Sequence, residues 1–200
     1  INSIFDLNGG TFTSTSATLT NNTTSNTTVF DIATASTFNH NNGTVKFTGS
    51  NHFAIDTHNS SLYNVELNKC VSCGGSGRID VDGDLIINNV NTTSIDITLA
   101  GNISGSATMT PSGSGKITFD GTGDQTSTFT GRMPNVTVNK ASGTLTFSND
   151  FAIGNKFTHI AGSVVFTGTT VSFTHSDHWS IDSGSVEFDD VIVNKCSTCD

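Results

Sequence analysis

Two hundred residues leave room for one elongated domain or two small ones, and a formal net charge of −9 with only eight Lys and Arg excludes the cationic face that nucleic acid or an anionic membrane requires. Glu is confined to Glu66 and Glu187 while Thr, Ser, Asn, Gly, Val, Ile and Phe dominate, which excludes a helical fold and suits strands joined by turns. No stretch has the length of a transmembrane helix, and the chain opens at Ile1 instead of Met, as a processed or trimmed product would.

Taken in chain order, the runs 11–20 (TFTSTSATLT), 44–48 (TVKFT), 116–119 (KITF) and 144–147 (TLTF) place apolar residues on one side of a strand and Thr or Lys on the other. Clusters of Gly, Asn and Ser punctuate such runs every eight to twelve residues or so, the spacing of short strands between turns. No segment carries the 3.6-residue period of an amphipathic helix.

The chain repeats itself. Residues 44–73 (TVKFTGSNHFAIDTHNSSLYNVELNKCVSC) align without a gap on residues 170–199 (TVSFTHSDHWSIDSGSVEFDDVIVNKCSTC) at an offset of 126. Phe47/Phe173, His52/His178, Ile55/Ile181, Asp56/Asp182 and Lys69/Lys195 are among the identities. A weaker middle copy runs from Lys116 to Lys140. Each copy closes on N/D-V-x-[LV]-N-K, at Lys69, Lys140 and Lys195. The expected organisation is a single elongated domain, 1–200, in about three modules of 1–73, 74–143 and 144–200.

The run TFNHNNGTVKFTGS (37–50), followed by YNVELNK (63–69), resembles the repeats of large secreted bacterial surface proteins, the adhesin-like and autotransporter-passenger-like chains. The resemblance implies a right-handed parallel β-helix, or β-solenoid, in an extracellular and elongated protein. It transfers no catalytic residue. The solenoid also follows physically: short strands with one apolar face cannot bury it alone, and stacking them coil on coil builds one narrow core. A β-sandwich is the alternative all-β architecture.

Cys70/Cys73 and Cys196/Cys199 form two C-x-x-C pairs beside module ends. In an oxidising compartment they read as local disulfide staples, or as bonds between chains at Cys196/Cys199. A four-cysteine zinc site would need two pairs 126 residues apart to converge. Eight N-x-S/T sequons, at Asn21, Asn22, Asn26, Asn42, Asn59, Asn91, Asn102 and Asn135, are compatible with export. Of the histidines His40, His52, His58, His159, His175 and His178, the equivalent pair His52 and His178 sits beside Phe53 and Trp179, as packing positions do.

Asp80, Asp82 and Asp84 are weak calcium candidates, with Asp120 and Asp124 a second set; the EF-hand pattern fails because position 91 is Asn. Asp189-Asp190 is a paired carboxylate of the kind glycoside cleavage uses, but Arg78 and Arg132 are the only arginines, and Trp179 and Tyr63 form no sugar platform by spacing. No nucleophile elbow, phosphate loop or dinucleotide fingerprint occurs. The Thr alternations would support ice binding only with a T-x-T on every coil in register.

The expected function is therefore an extracellular structural protein: a self-associating subunit or repeat segment of a surface fibre, filament or adhesin. Its expected partners are copies of itself and surface glycans, with no nucleic acid and no membrane insertion. No cofactor, metal or catalytic residue is expected. The alternative is a carbohydrate-binding or carbohydrate-cleaving β-helix, such as a phage tail-fibre segment.

Overall fold

Two-residue alternation turns every second side chain of a strand to the same side, and in the computed structural model that side is the inside of a coil. The structure describes residues 2–24, 28–50, 52–68, 72–73, 77–111, 115–174 and 180–194. Every strand pairing among them is parallel, each strand lying on the equivalent strand of the next coil. Hairpins and sandwiches need antiparallel pairs. The chain is a parallel β-solenoid.

Each coil lays down three short walls. The first wall stacks Phe5–Leu7, Thr28–Ile32, His52–Asp56, Ser72–Cys73, Thr92–Thr93 and Thr110–Pro111 as a six-stranded sheet. Thr130–Met133, Phe151–Ile153, Thr170–Phe173 and Asp190–Val193 take up the same place in later coils. The second wall holds Arg78–Val81, Asp96–Leu99 and Lys116–Phe119, and the third holds Thr44–Phe47, Asn64–Asn68 and Leu85–Asn88. Further along, Asn135–Phe147 and Lys156–Phe166 each run through both of these walls. They turn the corner near Gly143 and Gly162, whose φ of +73° and +98° suit a residue without Cβ.

The chain thus winds at least six times, more often than three modules would require. The repeat has a different meaning. In each copy, its T-V-x-F or K-I-T-F end and its N/D-V-x-[LV]-N-K end are neighbouring rungs of one wall. Val45 stacks on Val65 and Phe47 on Leu67; Ile117 stacks on Val136 and Phe119 on Val138; Val171 stacks on Val191 and Phe173 on Val193. One copy is one coil plus the rung that closes it. The three copies also begin on different walls, so the repeat is not in phase with the cross-section. A coil takes 18 residues from Ile79 to Ile97 and 26 from Leu19 to Val45, and corner loops absorb the difference.

The inward columns form one continuous core. Ile79, Ile97, Ile117, Val136 and Phe157 stack in register, as do Val45, Val65, Leu85 and Ile103, and all are buried. Burying such a side chain stabilises by about 1.5–3 kcal/mol. Aromatic rings gather towards both ends: Phe5, Phe12, Phe30, Phe38 and Phe47 on one side, Phe147, Phe151, Phe157, Phe166, Phe173 and Phe188 on the other. At the corners the stacking is too close for side chains. A Cβ on Gly101 would lie 2.2 Å from the Gly83 carbonyl oxygen.

The inward and outward positions of one strand should respond differently to truncation. Phe119→Ala is expected to cost about 3–5 kcal/mol, whereas Thr118→Ala, on the outer face, should stay within about 0.5 kcal/mol. Urea unfolding followed by circular dichroism checks both. Equal losses would contradict the inside–outside assignment.

Candidate functional site

Asp80, Asp82 and Asp84 follow one another along a strand end and its corner, and each is taken by a different neighbour. Arg78 reaches the Asp80 carboxylate at 3.5 Å. Asp82 accepts a hydrogen bond from Ser61 Oγ and lies 3.4 Å from His40 Nε2. Asp84 accepts from the backbone N–H of Asn102 at 2.8 Å and from its amide nitrogen at 3.0 Å. Asp124 likewise accepts from the Thr144 backbone N–H. Asp82, Asp84 and Asp124 stitch coils together, whereas Asp80 pairs within its own strand. Their oxygens are not gathered into a three-ligand set among the described residues.

The stitching has a pattern. Asn64 accepts from the Asp84 N–H, Asp84 from Asn102, and Asn102 from the Thr126 N–H. Asp150 holds the Thr170 N–H in the same manner, and Asp189 holds those of Gly168 and Thr169. Asp189 is thereby a corner residue that holds the backbone of the preceding coil.

Cys70, Cys196 and Cys199 lie outside the described residues, and Cys73 is described only as backbone in Ser72–Cys73. His175, His178 and Trp179 also lie outside, and His52 is described only as backbone. Tyr63 stacks on His40 with ring centroids 5.4 Å apart. Thr98, Thr118, Thr137 and Thr158 do share one outward column. The neighbouring column is Asp96, Lys116 and Asn135, so the face is not a T-x-T array.

Three features were not anticipated. Lys140 is completely buried and donates to the Gly121 and Gly123 carbonyl oxygens, at 2.6 and 2.9 Å, and to Gln125 Oε1 at 2.6 Å. Gln125 in turn donates to the Leu99 and Gly101 carbonyls. All three ammonium protons are used inside the wall, as a buried cation requires. Burial lowers the Lys140 pKa from its ordinary value, and Asp124 and Asp120 oppose the shift. The only sign in the sequence was the recurrence of N-K at the end of each copy.

The second feature is a groove of about 500 Å³ along the first wall. Thr108, Gly131, Arg132, Asp150, Ala152 and Ser172 are among the residues that line it. Thr108, Arg132, Ala152, Ser172 and Ile192 are register partners in succession, so the groove runs parallel to the solenoid axis. Arg132 is held by the Met109 carbonyl and Thr110 Oγ1.

The third is a cluster on the first wall. Asp6, Asp31 and Asp56 are register partners on three successive coils. His58 Nδ1 lies 3.2 Å from Asp56 Oδ1 and 3.6 Å from Asp31 Oδ1. The triplets FDL, FDI and IDT at 5–7, 30–32 and 55–57 were the readable signal; their meaning depended on knowing that a coil there takes 25 residues.

No protein-family model matches the chain, and no curated protein or solved structure is similar to it at a significant level.

Two outcomes test the polar network. Lys140→Met leaves Gly121 O, Gly123 O and Gln125 Oε1 without their donor. At about 1–3 kcal/mol for each buried group left unpaired, the loss in a urea titration should exceed that of any single surface ion pair, and an unchanged midpoint would contradict the network. The second outcome concerns pH. Burial, with Asp82 adding and Arg78 opposing, raises the Asp80 pKa; burial and Asp80 raise that of Asp120. Folded-state values above the unfolded ones mean that the native chain binds more protons in between. The contribution of these two groups is therefore most favourable below the unfolded aspartate pKa and is lost as pH rises through the folded one. Asp80→Asn and Asp120→Asn should gain stability over the wild type on going from acidic to neutral pH, as read by the difference in melting midpoint at each pH.

Proposed function

We propose that this chain is a rigid segment of an extracellular surface fibre or adhesin that associates with copies of itself. The observation that carries the reading is the buried core, which forms one cluster from Val29 to Phe173 among the described residues. Such a stack is stiff along its axis and offers long outer walls at little cost in sequence, since only the inward positions are constrained. The resemblance of 37–50 and 63–69 to secreted surface repeats supports the same reading.

The axial groove on the first wall favours a second reading, in which the outer wall binds an extended glycan. Its course along the register column suits a chain lying along the axis, and a long groove of this type is where a linear ligand gains contact area.

Sedimentation velocity across a wide concentration range, with negative-stain microscopy at the top of it, tests the first reading. Concentration-dependent growth into unbranched filaments is expected. A species that stays monomeric at every concentration, with no filaments, would rule out self-association. Retention on a glycan array that Ala152→Trp abolishes, by filling the groove, would carry the second reading in its place.

A further inference from the structure

We propose that Asp31, Asp56 and His58 form a binding site for a divalent cation of the zinc class, which clips two neighbouring coils of the first wall together. Elsewhere on the outer walls, charged residues in register pair with the opposite sign: Lys46 on Glu66 at 2.8 Å, and Lys116 on Asp96 at 3.7 Å. Asp6, Asp31 and Asp56 instead stack like on like. Stacked rungs lie about 4.8 Å apart, and like charges placed directly opposite destabilise a sheet. Among the described residues no Lys or Arg forms an ion pair with any of the three.

The geometry of His58 is the second and independent observation. Its Nδ1 is shielded from solvent and makes no hydrogen bond, although a sheltered ring nitrogen ordinarily has a partner. It sits instead between two carboxylates, aligned for a hydrogen bond with neither. Its distances, 3.2 Å to Asp56 and 3.6 Å to Asp31, bracket the separation of about 3.4 Å between donors on a tetrahedral zinc with bonds of about 2.0–2.2 Å. One donor atom from each of the three residues falls within 4.8 Å of the others. The backbone prepares the arrangement: the His58 N–H donates to Asp56 Oδ1 at 3.0 Å, from a left-handed residue with φ +46°.

The ligand set chooses the ion. One imidazole nitrogen and two carboxylates suit zinc and its neighbours in the first transition row, whereas calcium collects six to eight or so oxygens. With the His58 side chain 38% exposed, water can complete the shell. The ion would neutralise Asp31 and Asp56 and hold Thr28–Ile32 to His52–Asp56. It would therefore stabilise the folded chain in proportion to the logarithm of its concentration.

Thermal unfolding of the full chain in rising ZnCl2, with MgCl2 as comparison, tests the site. The wild-type midpoint should climb with zinc and not with magnesium. His58→Asn, which tolerates the left-handed backbone, and separately Asp31→Asn should each weaken zinc binding at least about tenfold, the loss that even an outer-shell partner's removal brings. Cobalt(II) then separates this site from the cysteines: nitrogen and oxygen ligands give weak visible bands without the intense near-ultraviolet thiolate transition. A midpoint indifferent to zinc overturns the proposal. A zinc effect that persists in both variants, or a thiolate band at the first equivalent of cobalt, overturns it equally.

Discussion

The structure depends on one constraint, the parallel and in-register stacking of each rung on the rung one coil earlier. Every described strand satisfies its backbone in this way, and every inward side chain must therefore fit under its own counterpart. Columns of one residue class result, such as Ile79, Ile97 and Ile117. The same register governs the outside. Lys46 meets Glu66 and Asp84 meets Asn102 because stacking places them there, not because they are near in sequence.

Register also explains why the corners are built from Asn, Asp and Gly. A corner leaves backbone N–H groups that no wall strand can accept, and a buried or crowded N–H without a partner is costly. A short side chain with a carbonyl or carboxylate oxygen reaches the N–H of the next coil, as Asn64, Asp84 and Asn102 do. Where two coils approach more closely still, as at Gly83 and Gly101, a Cβ has no space. Lys140 solves the same problem from within. Its ammonium supplies donors to the carbonyls of Gly121 and Gly123, which the bend at that level turns inward.

The sites divide by how much of this register could be read. Asp80, Asp82 and Asp84 draw the eye as a dense acidic run, yet alternation and the bend send them to three different partners. Asp31, Asp56 and His58 looked ordinary, because two of them lie on different coils and meet only through stacking. Lys140 resembled any polar residue at the end of a strand, and its burial follows from the Gln125 side chain one level away.

Alternation and the scarcity of helix formers were sufficient for the all-β class; the internal repeat favoured the solenoid over a β-sandwich, and the parallel pairing decided between them. These are local properties, and the two-residue period acts within a single strand. The number of coils was not legible, since the three repeat copies mark only three of them and the remaining rungs share nothing but an in–out pattern. Coil length was equally hidden: steps of 18 and 26 residues satisfy the same wall, with the surplus carried in loops that carry no periodic signal. Residues that meet across coils are separated by that variable length, so which Asp faces which, and which lysine is buried, was decided by the stacking itself.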